Sequence, residues 1–302
     1  MQLVMPFFSI IIPTYNRIEL LLNALDSIFA QTLKDYEIIV VDDGSTDGTA
    51  ALSASLSGRI LFLTQSNRGP GPARNLGARQ ATGEYLAFLD SDDLYFPWTL
   101  EVYQQAVQQA QCPAFIVGKP CQFRELEELQ KVSFEKAHTL EFSDYLASGD
   151  SWRWWGASSF VIRRDAFTSV GGFVDEWING EDADLALRLG SAAGFVQITA
   201  PATFGYRDHA ISAMKNLDRT LAGARHQILA EKRALYPGGQ IRAPERHRIL
   251  ARHLRPVSLD CLGQGRRREA WELYWATFLW HVKLGNWKYL IGFPAKALFN
   301  RL

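Results

Sequence analysis

Cysteine is scarce in this sequence, and neither sign of charge is in excess. The three cysteines among 302 residues form no Cys-x-x-Cys pair and no Cys and His pair at zinc spacing, so neither a disulfide framework nor a structural metal site is predicted. Lys and Arg together number 32, as do Asp and Glu, so no overall field favours nucleic acid. We therefore expect a cytoplasmic protein that binds no nucleic acid.

Long apolar runs are missing as well. No stretch reaches the ~18 uninterrupted apolar residues that a membrane-spanning helix requires. The apolar residues 1–12 lack a basic start and lead directly into Pro13-Thr14-Tyr15-Asn16, which favours a first strand over a signal peptide. Hydrophobic residues make up 47% of the chain and charged residues 21%, which is typical of a folded globular protein.

The familiar glycine-rich phosphate loops do not occur. No Gly-x-Gly-x-x-Gly follows the first predicted strand, and Gly-Lys is nowhere followed by Ser or Thr. Both dinucleotide-binding proteins of the usual kind and P-loop proteins are therefore disfavoured.

The sequence does contain an alternation of strand and helix patterns. Short β-branched or aromatic runs predict buried strands at 7–12, 37–41, 60–63 and 85–89, with helical spacing of apolar residues between them. Further on, the patterns predict a helix at 99–111, strands at 115–117, 160–162 and 195–199, a charged exposed stretch at 124–146, and only helices beyond Pro237. Such alternation predicts an α/β fold with a mostly parallel, Rossmann-like central sheet flanked by helices.

Polar residues cluster at the C-terminal end of each of the first four predicted strands. The clusters are Pro13-Thr14-Tyr15-Asn16-Arg17, Asp42-Asp43-Gly44-Ser45-Thr46-Asp47-Gly48, Asn67-Arg68-Gly69 with Ala73-Arg74-Asn75, and Asp90-Ser91-Asp92-Asp93. Open α/β sheets bind ligands at the carboxyl ends of their strands, so we expect these clusters to converge on one crevice.

The residue types in these clusters suit a nucleotide and a cation. Asp90 and Asp92 are hard oxygen ligands that can share a divalent cation with a diphosphate. A strand-end carboxylate such as Asp43 can accept hydrogen bonds from a base, and the Tyr15 ring offers a face on which a base can lie. Each motif taken alone is equally an ordinary capped turn or a solvated surface; their occurrence together favours a ligand site.

Five motifs, in this order and at this spacing, resemble the inverting nucleotide-sugar glycosyltransferases of family 2. They are Ile11 to Arg17, Val40 to Thr49, Asn67 to Gly77, Gly83 to Asp93 and Gly171 to Asp182. The resemblance covers roughly residues 7 to 215 and implies a GT-A fold. We expect a catalytic domain at 1–236, with a nucleotide-binding half at 1–93 and an acceptor and catalytic-base half at 94–236, and a basic, aromatic helical extension at 237–302.

The resemblance also implies the roles of individual residues. The positions that it places at the donor are Pro13, Thr14, Tyr15, Arg17, Asn67, Arg74 and Ser91, with Asp43 bonding the base and Asp90 on the ribose side. Asp92 is the implied ligand of a divalent cation, magnesium or manganese. His209, in Arg207-Asp208-His209, is implied at the metal or diphosphate, and a surface-loop histidine is the alternative.

Asp182 aligns with the catalytic base of the family, and Glu181 with a residue that positions the acceptor. An acceptor hydroxyl is a poor nucleophile at neutral pH, so Asp182 would take its proton during attack opposite the leaving nucleotide, which inverts configuration. An acidic helix start with no catalytic role is the alternative. Trp152, Trp154, Trp155 and Trp177 precede this pair, and either line the acceptor site or pack in the core.

The C-terminal part is basic and aromatic. From Arg242 onward it has 12 basic and 4 acidic residues, and Trp271, Tyr274, Trp275, Phe278 and Val282 share one helical face. Residues 266–302 predict either a helix lying in an anionic bilayer surface or a helix packed on the catalytic domain. The resemblance favours peripheral attachment at the inner face of the cell membrane, because many family members use lipid-linked acceptors there.

The resemblance thus implies a metal-dependent inverting glycosyltransferase. Its donor would be a nucleotide-diphospho-sugar, and its acceptor a saccharide or lipid-linked saccharide in cell-surface polysaccharide or glycolipid synthesis. A non-catalytic nucleotide-sugar-binding protein that retains the fold is the alternative. A sugar-phosphate nucleotidylyltransferase is disfavoured, because its glycine-rich start with basic residues is missing.

Overall fold

The computed structural model describes residues 5–56, 58, 60–151, 156–208 and 216–299. Contacts between residues divide this part of the chain into two compact units. Within the described residues, the first unit comprises 5–144, 156–177 and 192–208, and the second comprises 145–151, 178–191 and 216–299. The sequence predicts a boundary between residues 236 and 237. The two units divide the chain at other residues, and the predicted boundary stays a prediction.

Among the described residues, the strands lie in the first unit. They are β1 (Phe8–Thr14), β2 (Tyr36–Asp42), β3 (Leu61–Thr64), β4 (Tyr85–Phe88), β5 (Leu94–Tyr95), β6 (Phe115–Val117), β7 (Pro120–Phe123), β8 (His138–Phe142), β9 (Phe160–Arg163), β10 (Phe195–Ala200) and β11 (Phe204–Arg207). Eight of them form one sheet in the order β3-β2-β1-β4-β9-β6-β10-β8, and β5-β11-β7 form a second sheet. Strand β1 pairs in parallel with β2 and β4, and β2 pairs in parallel with β3. Strand β9 runs antiparallel to β4 and β6, and β8 runs antiparallel to β10.

Helices lie between the first four strands, after β5, from residue 181 and beyond Pro237, as the sequence predicts, whereas those at 126–129, 145–148, 164–169 and 217–232 were not predicted. The helices are α1 (Ile18–Phe29), α2 (Leu52–Ser55), α3 (Pro70–Gln80), α4 (Thr99–Gln109), α5 (Leu126–Leu129), α6 (Tyr145–Ser148), α7 (Arg164–Ser169), α8 (Glu181–Arg188), α9 (Leu217–Lys232), α10 (Ala243–Gly263), α11 (Arg267–Lys283) and α12 (Trp287–Phe299). The predicted α/β architecture with a C-terminal helical region is confirmed.

Strand β1 lies at the centre of the core because both of its faces are covered. All seven of its residues are buried. Alternate side chains of a strand point to opposite faces, so Ile10 and Ile12 share one face and Ile11 lies on the other. Helix α3 packs close to Ile11: a Cβ on Gly77 would lie only 2.6 Å from its side chain. A side chain at position 77 would therefore push α3, and the residues at its start, away from the sheet.

The predicted strands all exist, with ends within two residues of the predicted ones, but four further strands, β5, β7, β8 and β11, were not predicted. The stretch 124–146, predicted as charged and exposed, contains β8, which pairs with β10 at the edge of the sheet. None of the residues of β8 is buried, and edge strands commonly carry polar side chains. The sequence of β8 therefore lacks the alternation of apolar and polar residues that predicts a strand. The short strand β11, from Phe204 to Arg207, follows β10 so closely that no separate pattern marks it.

The second unit is helical, and its long helices pack through rings and ion pairs. The rings of Tyr274 on α11 and Phe293 on α12 stack with their centroids 4.6 Å apart, and the Tyr274 hydroxyl donates to the carbonyl of Leu290 over 2.9 Å. The Arg246 guanidinium of α10 pairs with Glu231 of α9 at 2.7 Å, with both side chains buried. In the described parts of the chain, no helix combines the length and apolar character needed to cross a membrane.

Helix α11 also buries a neutral histidine. The His281 ring is fully buried, with its centroid 4.3 Å from that of Tyr289, and its Nε2 has no hydrogen-bond partner among the described residues. Burial, with a smaller contribution from Arg255, lowers the pKa of His281 from 6.5 to about 4. The unfolded chain therefore binds this proton near pH 6.5 and the folded chain only near pH 4, so the folded state loses stability as the pH falls through this window.

We predict that the free energy of unfolding falls by about 2 kcal/mol more between pH 7 and pH 5 in the native protein than in a His281→Gln variant, because the variant cannot take up this proton. Urea unfolding of both proteins at the two pH values measures the difference. A His138→Gln variant, changed at an exposed histidine, is the matched control for the loss of a histidine. An identical fall in the His281→Gln variant would contradict the assignment.

Candidate active site

The predicted polar clusters meet at the carboxyl edge of the main sheet. In the parallel pairing of β1 and β2, Thr14 lies opposite Asp42, so both strands end at the same level. The backbone continues this order, with the N–H of Asp43 donating to the carbonyl of Thr14 at 2.8 Å and the N–H of Gln65 to that of Asp42 at 3.0 Å. Strand β4 pairs with β1 on its other side, and the turn that follows it lies at the same edge.

The first two clusters are held together by side chains at their turns. Asn16 has a left-handed backbone (φ +52°), and its Oδ1 accepts a hydrogen bond from the N–H of Thr46 at 2.7 Å. Its own N–H donates to Ser45 Oγ at 2.8 Å. Beside this turn Pro13 and Thr14 are buried, whereas the ring of Tyr15 is 43% exposed and available to a ligand.

Asp43 organises the third cluster. Its carboxylate is 4% exposed and accepts hydrogen bonds from Gln65 Nε2 at 2.7 Å, from the N–H of Arg68 at 2.9 Å and from the N–H of Gly69 at 2.8 Å. This places the exposed Asn67 within a loop fixed at both ends. The Asp43 carboxylate therefore holds the loop that follows β3. Bonding of the base, the role that the resemblance implies for Asp43, stays a prediction.

The turn after β4 concentrates negative charge. Asp90, Asp92 and Asp93 each offer an oxygen atom, and these atoms lie within 4.8 Å of one another. Two guanidinium groups offset this charge: Arg17 Nη1 lies 2.5 Å from Asp92 Oδ2, and Arg74 Nη2 lies 2.5 Å from Asp90 Oδ1.

The two arginines differ in environment. Arg74 is buried, with its guanidinium 5.1 Å from the centroid of the Phe173 ring, whereas Arg17 is partly exposed. Ser91 is buried between the two carboxylates of the turn. The structure thus brings the predicted donor residues of all four clusters to one edge of the first unit.

Asp93 is the buried member of the acidic turn. Burial, together with repulsion from Asp92 and Asp90, raises the pKa of Asp93 well above its usual range. Ser158 Oγ donates to its Oδ2 at 2.6 Å, and the N–H of Arg207 donates to its Oδ1 at 3.0 Å.

Ser158 is a site residue that the sequence did not predict, and Arg207 was predicted only as part of the segment that ends in His209. Ser158 Oγ also accepts a hydrogen bond from the N–H of Asp90 at 3.0 Å, and Arg207 Nε donates to the carbonyl of Asp92 at 3.1 Å. Ser158 lies two residues before β9, and the antiparallel pairing of β9 with β4 carries it to the end of β4. No local pattern around a serine signals such a position.

The residues of the acidic turn fit a hard divalent cation. Carboxylate oxygens are the ligands that magnesium and manganese prefer, and three of them lie close together here. A cation at this turn would relieve the repulsion that raises the pKa of Asp93. The predicted ligand His209 lies outside the described residues, as do Trp152, Trp154 and Trp155.

Glu181 and Asp182 form the first turn of α8 in the second unit. The helix starts after Gly180, whose backbone is left-handed (φ +85°), and Asp182 Oδ1 accepts a hydrogen bond from the N–H of Ala183 at 2.7 Å. Both acidic side chains are partly exposed. The roles predicted for them stay predictions.

Trp177, by contrast, belongs to the first unit. Its indole is 43% exposed and packs against the backbone of Gly69, where a Cβ would lie only 3.0 Å from the ring. Gly69 has φ +93°, so both its backbone conformation and this close approach require glycine. Trp177 is therefore neither fully buried nor an isolated surface residue.

An α/β sheet with carboxylates at its carboxyl edge and a C-terminal helical region agrees with the GT-A fold that the resemblance implies. Residues 9–170 match the family model described as glycosyl transferase family 2. The chain therefore belongs to glycosyltransferase family 2.

Individual relatives are similar over parts of the chain. An uncharacterized glycosyltransferase of Rickettsia felis is 43% identical over 103 residues, which are 33% of this chain and 17% of that protein. The chain thus spans about a sixth of the length of this relative.

Two solved structures share the fold. The crystal structure of S. aureus TarS 1–349 in complex with UDP-GlcNAc has a TM-score of 0.61 at 20% identity, covering 92% of each chain. The mannosyltransferase PcManGT from Pyrobaculum calidifontis, in complex with GDP-Man and Mn²⁺, has a TM-score of 0.53 at 20% identity, covering 99% of this chain and 89% of that one.

We predict that Asp43→Ala lowers the free energy of unfolding by about 2–4 kcal/mol, because it leaves the buried N–H of Gly69 and its neighbours without an acceptor. Asp26→Ala, at an exposed position of α1, is the control and changes stability by less than about 0.5 kcal/mol. Urea unfolding measures both. Equal stability of the two variants would show that Asp43 does not hold the loop.

Proposed function

We propose that the protein is a metal-dependent inverting glycosyltransferase that moves a sugar from a nucleotide-diphospho-sugar to a hydroxyl group of a saccharide or lipid-linked saccharide. The observation that carries the proposal is the acidic turn Asp90, Asp92 and Asp93 at the carboxyl edge of the sheet. Family membership supports it, as do neighbours of the same fold in complex with UDP-GlcNAc and with GDP-Man and Mn²⁺.

The nucleoside part of the donor would lie at the ends of β1 and β2. The exposed Tyr15 ring offers a flat apolar face, and Pro13 and Thr14 form the floor beside it. A carboxylate has about four lone-pair sites, so Asp43 can accept a base N–H in addition to its three present hydrogen bonds. The loop that Asp43 holds places Asn67 at the same edge.

The diphosphate would lie at the acidic turn. Asp92 would hold the cation, magnesium or manganese, with Asp90 towards the ribose and Ser91 between them. A bound divalent cation would supply positive charge next to the leaving diphosphate. Arg74 and Arg17 orient Asp90 and Asp92 through their hydrogen bonds, and their charges favour an anionic ligand.

Asp182 would act as the general base. In this proposal its carboxylate accepts the proton of the acceptor hydroxyl while the oxygen forms a bond to the anomeric carbon and the bond to the diphosphate breaks. Attack and departure on opposite faces of the sugar invert the anomeric configuration. Glu181, beside it at the start of α8, would position the acceptor.

The two roles make opposite kinetic predictions. We expect Asp182→Asn to lower kcat at least 10³-fold, roughly the range of general-base catalysis, with donor affinity nearly unchanged. We expect Asp92→Ala to weaken manganese-dependent donor binding. Release of nucleoside diphosphate measures transfer, and thermal stabilisation by UDP-, GDP- and dTDP-sugars with manganese measures binding.

The reverse pattern would overturn the assignment of the two roles. A protein that only binds the donor would be stabilised by a nucleotide sugar without releasing nucleoside diphosphate, with or without Asp182.

We further propose that the protein works on the inner surface of the cell membrane, in cell-surface polysaccharide or glycolipid synthesis. The predicted aromatic face of α11 is divided: Tyr274 is 3% exposed, whereas Trp275 is 62% exposed. Of the basic residues before it, Arg266 pairs with Asp218 and Glu269, and Arg267 donates to the carbonyl of Ala297. These two arginines therefore connect helices.

Helix α12 supports membrane contact better than α11. Its exposed apolar residues Trp287, Ile291 and Leu298 lie on one side, and the exposed Lys288 lies next to them. The helix contains no acidic residue. An apolar strip with a lysine beside it fits a bilayer with anionic headgroups, to which a basic residue near the surface contributes about 1 kcal/mol.

We predict that Ile291→Glu lowers co-sedimentation with vesicles of phosphatidylglycerol and phosphatidylcholine at least fivefold, because it places a negative charge in the strip. Ile241→Glu, which changes an 89% exposed isoleucine outside α12, is the matched control and sediments like the native protein. Equal sedimentation of both variants would contradict membrane contact through α12. The substitution is preferable to deleting residues 266–302, because α11 contributes buried residues to its unit.

A further inference from the structure

The turn that leads into α8 is held by α9, the helix that follows the described β11 in the chain. The N–H of Asn179 donates to the carbonyl of Arg219 at 3.2 Å. The Asn179 amide donates to Thr220 Oγ1 at 2.9 Å and to the carbonyl of Asn216 at 3.3 Å. Asn179 thus has both its backbone and its side chain bonded to the first turn of α9.

The next turn of α9 contacts the same segment through its backbone. A Cβ on Gly223 would lie 1.8 Å from the carbonyl oxygen of Asn179, so only glycine fits at this position. One turn further on, Gln227 Nε2 donates to the carbonyl of Gly180 at 3.1 Å. Gly180 is the N-cap residue of α8.

These contacts come from one face of α9. Asn216, Thr220, Gly223 and Gln227 are spaced three or four residues apart, which places them in a row on one side of a helix. This row contacts Asn179 and Gly180, the two residues that precede Glu181 and Asp182. The backbone conformation at the start of α8 is therefore determined by α9, in addition to its own sequence.

A second anchor lies one turn inside α8. Asp184 is 1% exposed, and its carboxylate accepts hydrogen bonds from Arg188 Nε at 2.7 Å and from the Tyr236 hydroxyl at 2.8 Å, with His226 Nε2 at 3.3 Å. Burial raises the pKa of Asp184, but the hydrogen bonds from His226, Arg188 and Tyr236 outweigh it and hold the pKa below its usual range. The carboxylate is thus a charged anchor for α8.

We propose that this α9 row, together with the Asp184–Tyr236 hydrogen bond, positions the catalytic carboxylate; the inference rests on the proposed role of Asp182 as general base. Thr220, Gly223 and Tyr236 are positioning residues in this scheme. They set the start and the rotation of α8, and with it the direction of the Asp182 side chain. A small displacement of a general base costs rate without changing donor binding.

The test uses Thr220→Val and Tyr236→Phe, each of which removes one hydroxyl and keeps the shape of its side chain. We expect kcat to fall 10- to 100-fold in each variant, while the donor KM and the thermal stabilisation by donor with manganese stay within twofold. Thr220→Ser restores the hydroxyl and is expected to recover kcat. Leu229→Ala, at an exposed position of α9, is the control with native kinetics.

Three outcomes decide the matter. A native kcat in both Thr220→Val and Tyr236→Phe overturns the inference while Asp182→Asn remains inactive, so that the proposed function survives. A kcat loss that Thr220→Ser does not recover, or a donor KM that rises in parallel, assigns these residues a purely structural role and also overturns it. A native kcat in Asp182→Asn overturns the proposed function and the positioning scheme together.

Discussion

The carboxylates at the carboxyl edge of the sheet impose the constraint on which the first unit depends. Like charges as close as those of Asp90, Asp92 and Asp93 repel one another, and burial of Asp93 adds to the cost. Arg17 and Arg74, Ser158 and the backbone N–H of Arg207 offset it. The groups around the turn therefore compensate its negative charge. A bound cation would do the same, and the two arginines would also favour an anionic diphosphate.

In the second unit, tertiary contacts hold a short helix in a defined orientation. Helix α8 has eight residues, and isolated helices of that length are unstable in water. Its stability must come from tertiary contacts, which include its buried apolar residues, the row on α9 and the buried Asp184 carboxylate. Contacts on both sides of its first turn fix the start of this helix, as the proposed role of Asp182 requires.

Much of the architecture was predictable because its signals are local. Buried parallel strands read as continuous apolar runs, as in β1, and each of the first four ends in turn residues. The edge strand β8 was missed because none of its residues is buried. Its sequence therefore lacks the alternation of apolar and polar residues that marks a strand with one covered face. The predicted aromatic face of α11 was only half exposed, because α12 covers Tyr274 and leaves Trp275 uncovered.

Residue types and their order along the chain determined the fold class, the family and the clusters at the strand ends, because propensity, periodicity and turn chemistry act over a few residues. Tertiary structure alone decided the partners of those clusters. Arg17 meets Asp92 across 75 positions of sequence, and Ser158 reaches Asp90 because β9 runs antiparallel to β4. Hydrogen bonds and charge pairs of this kind depend on distances in space, which strand order and register set and which no local pattern encodes.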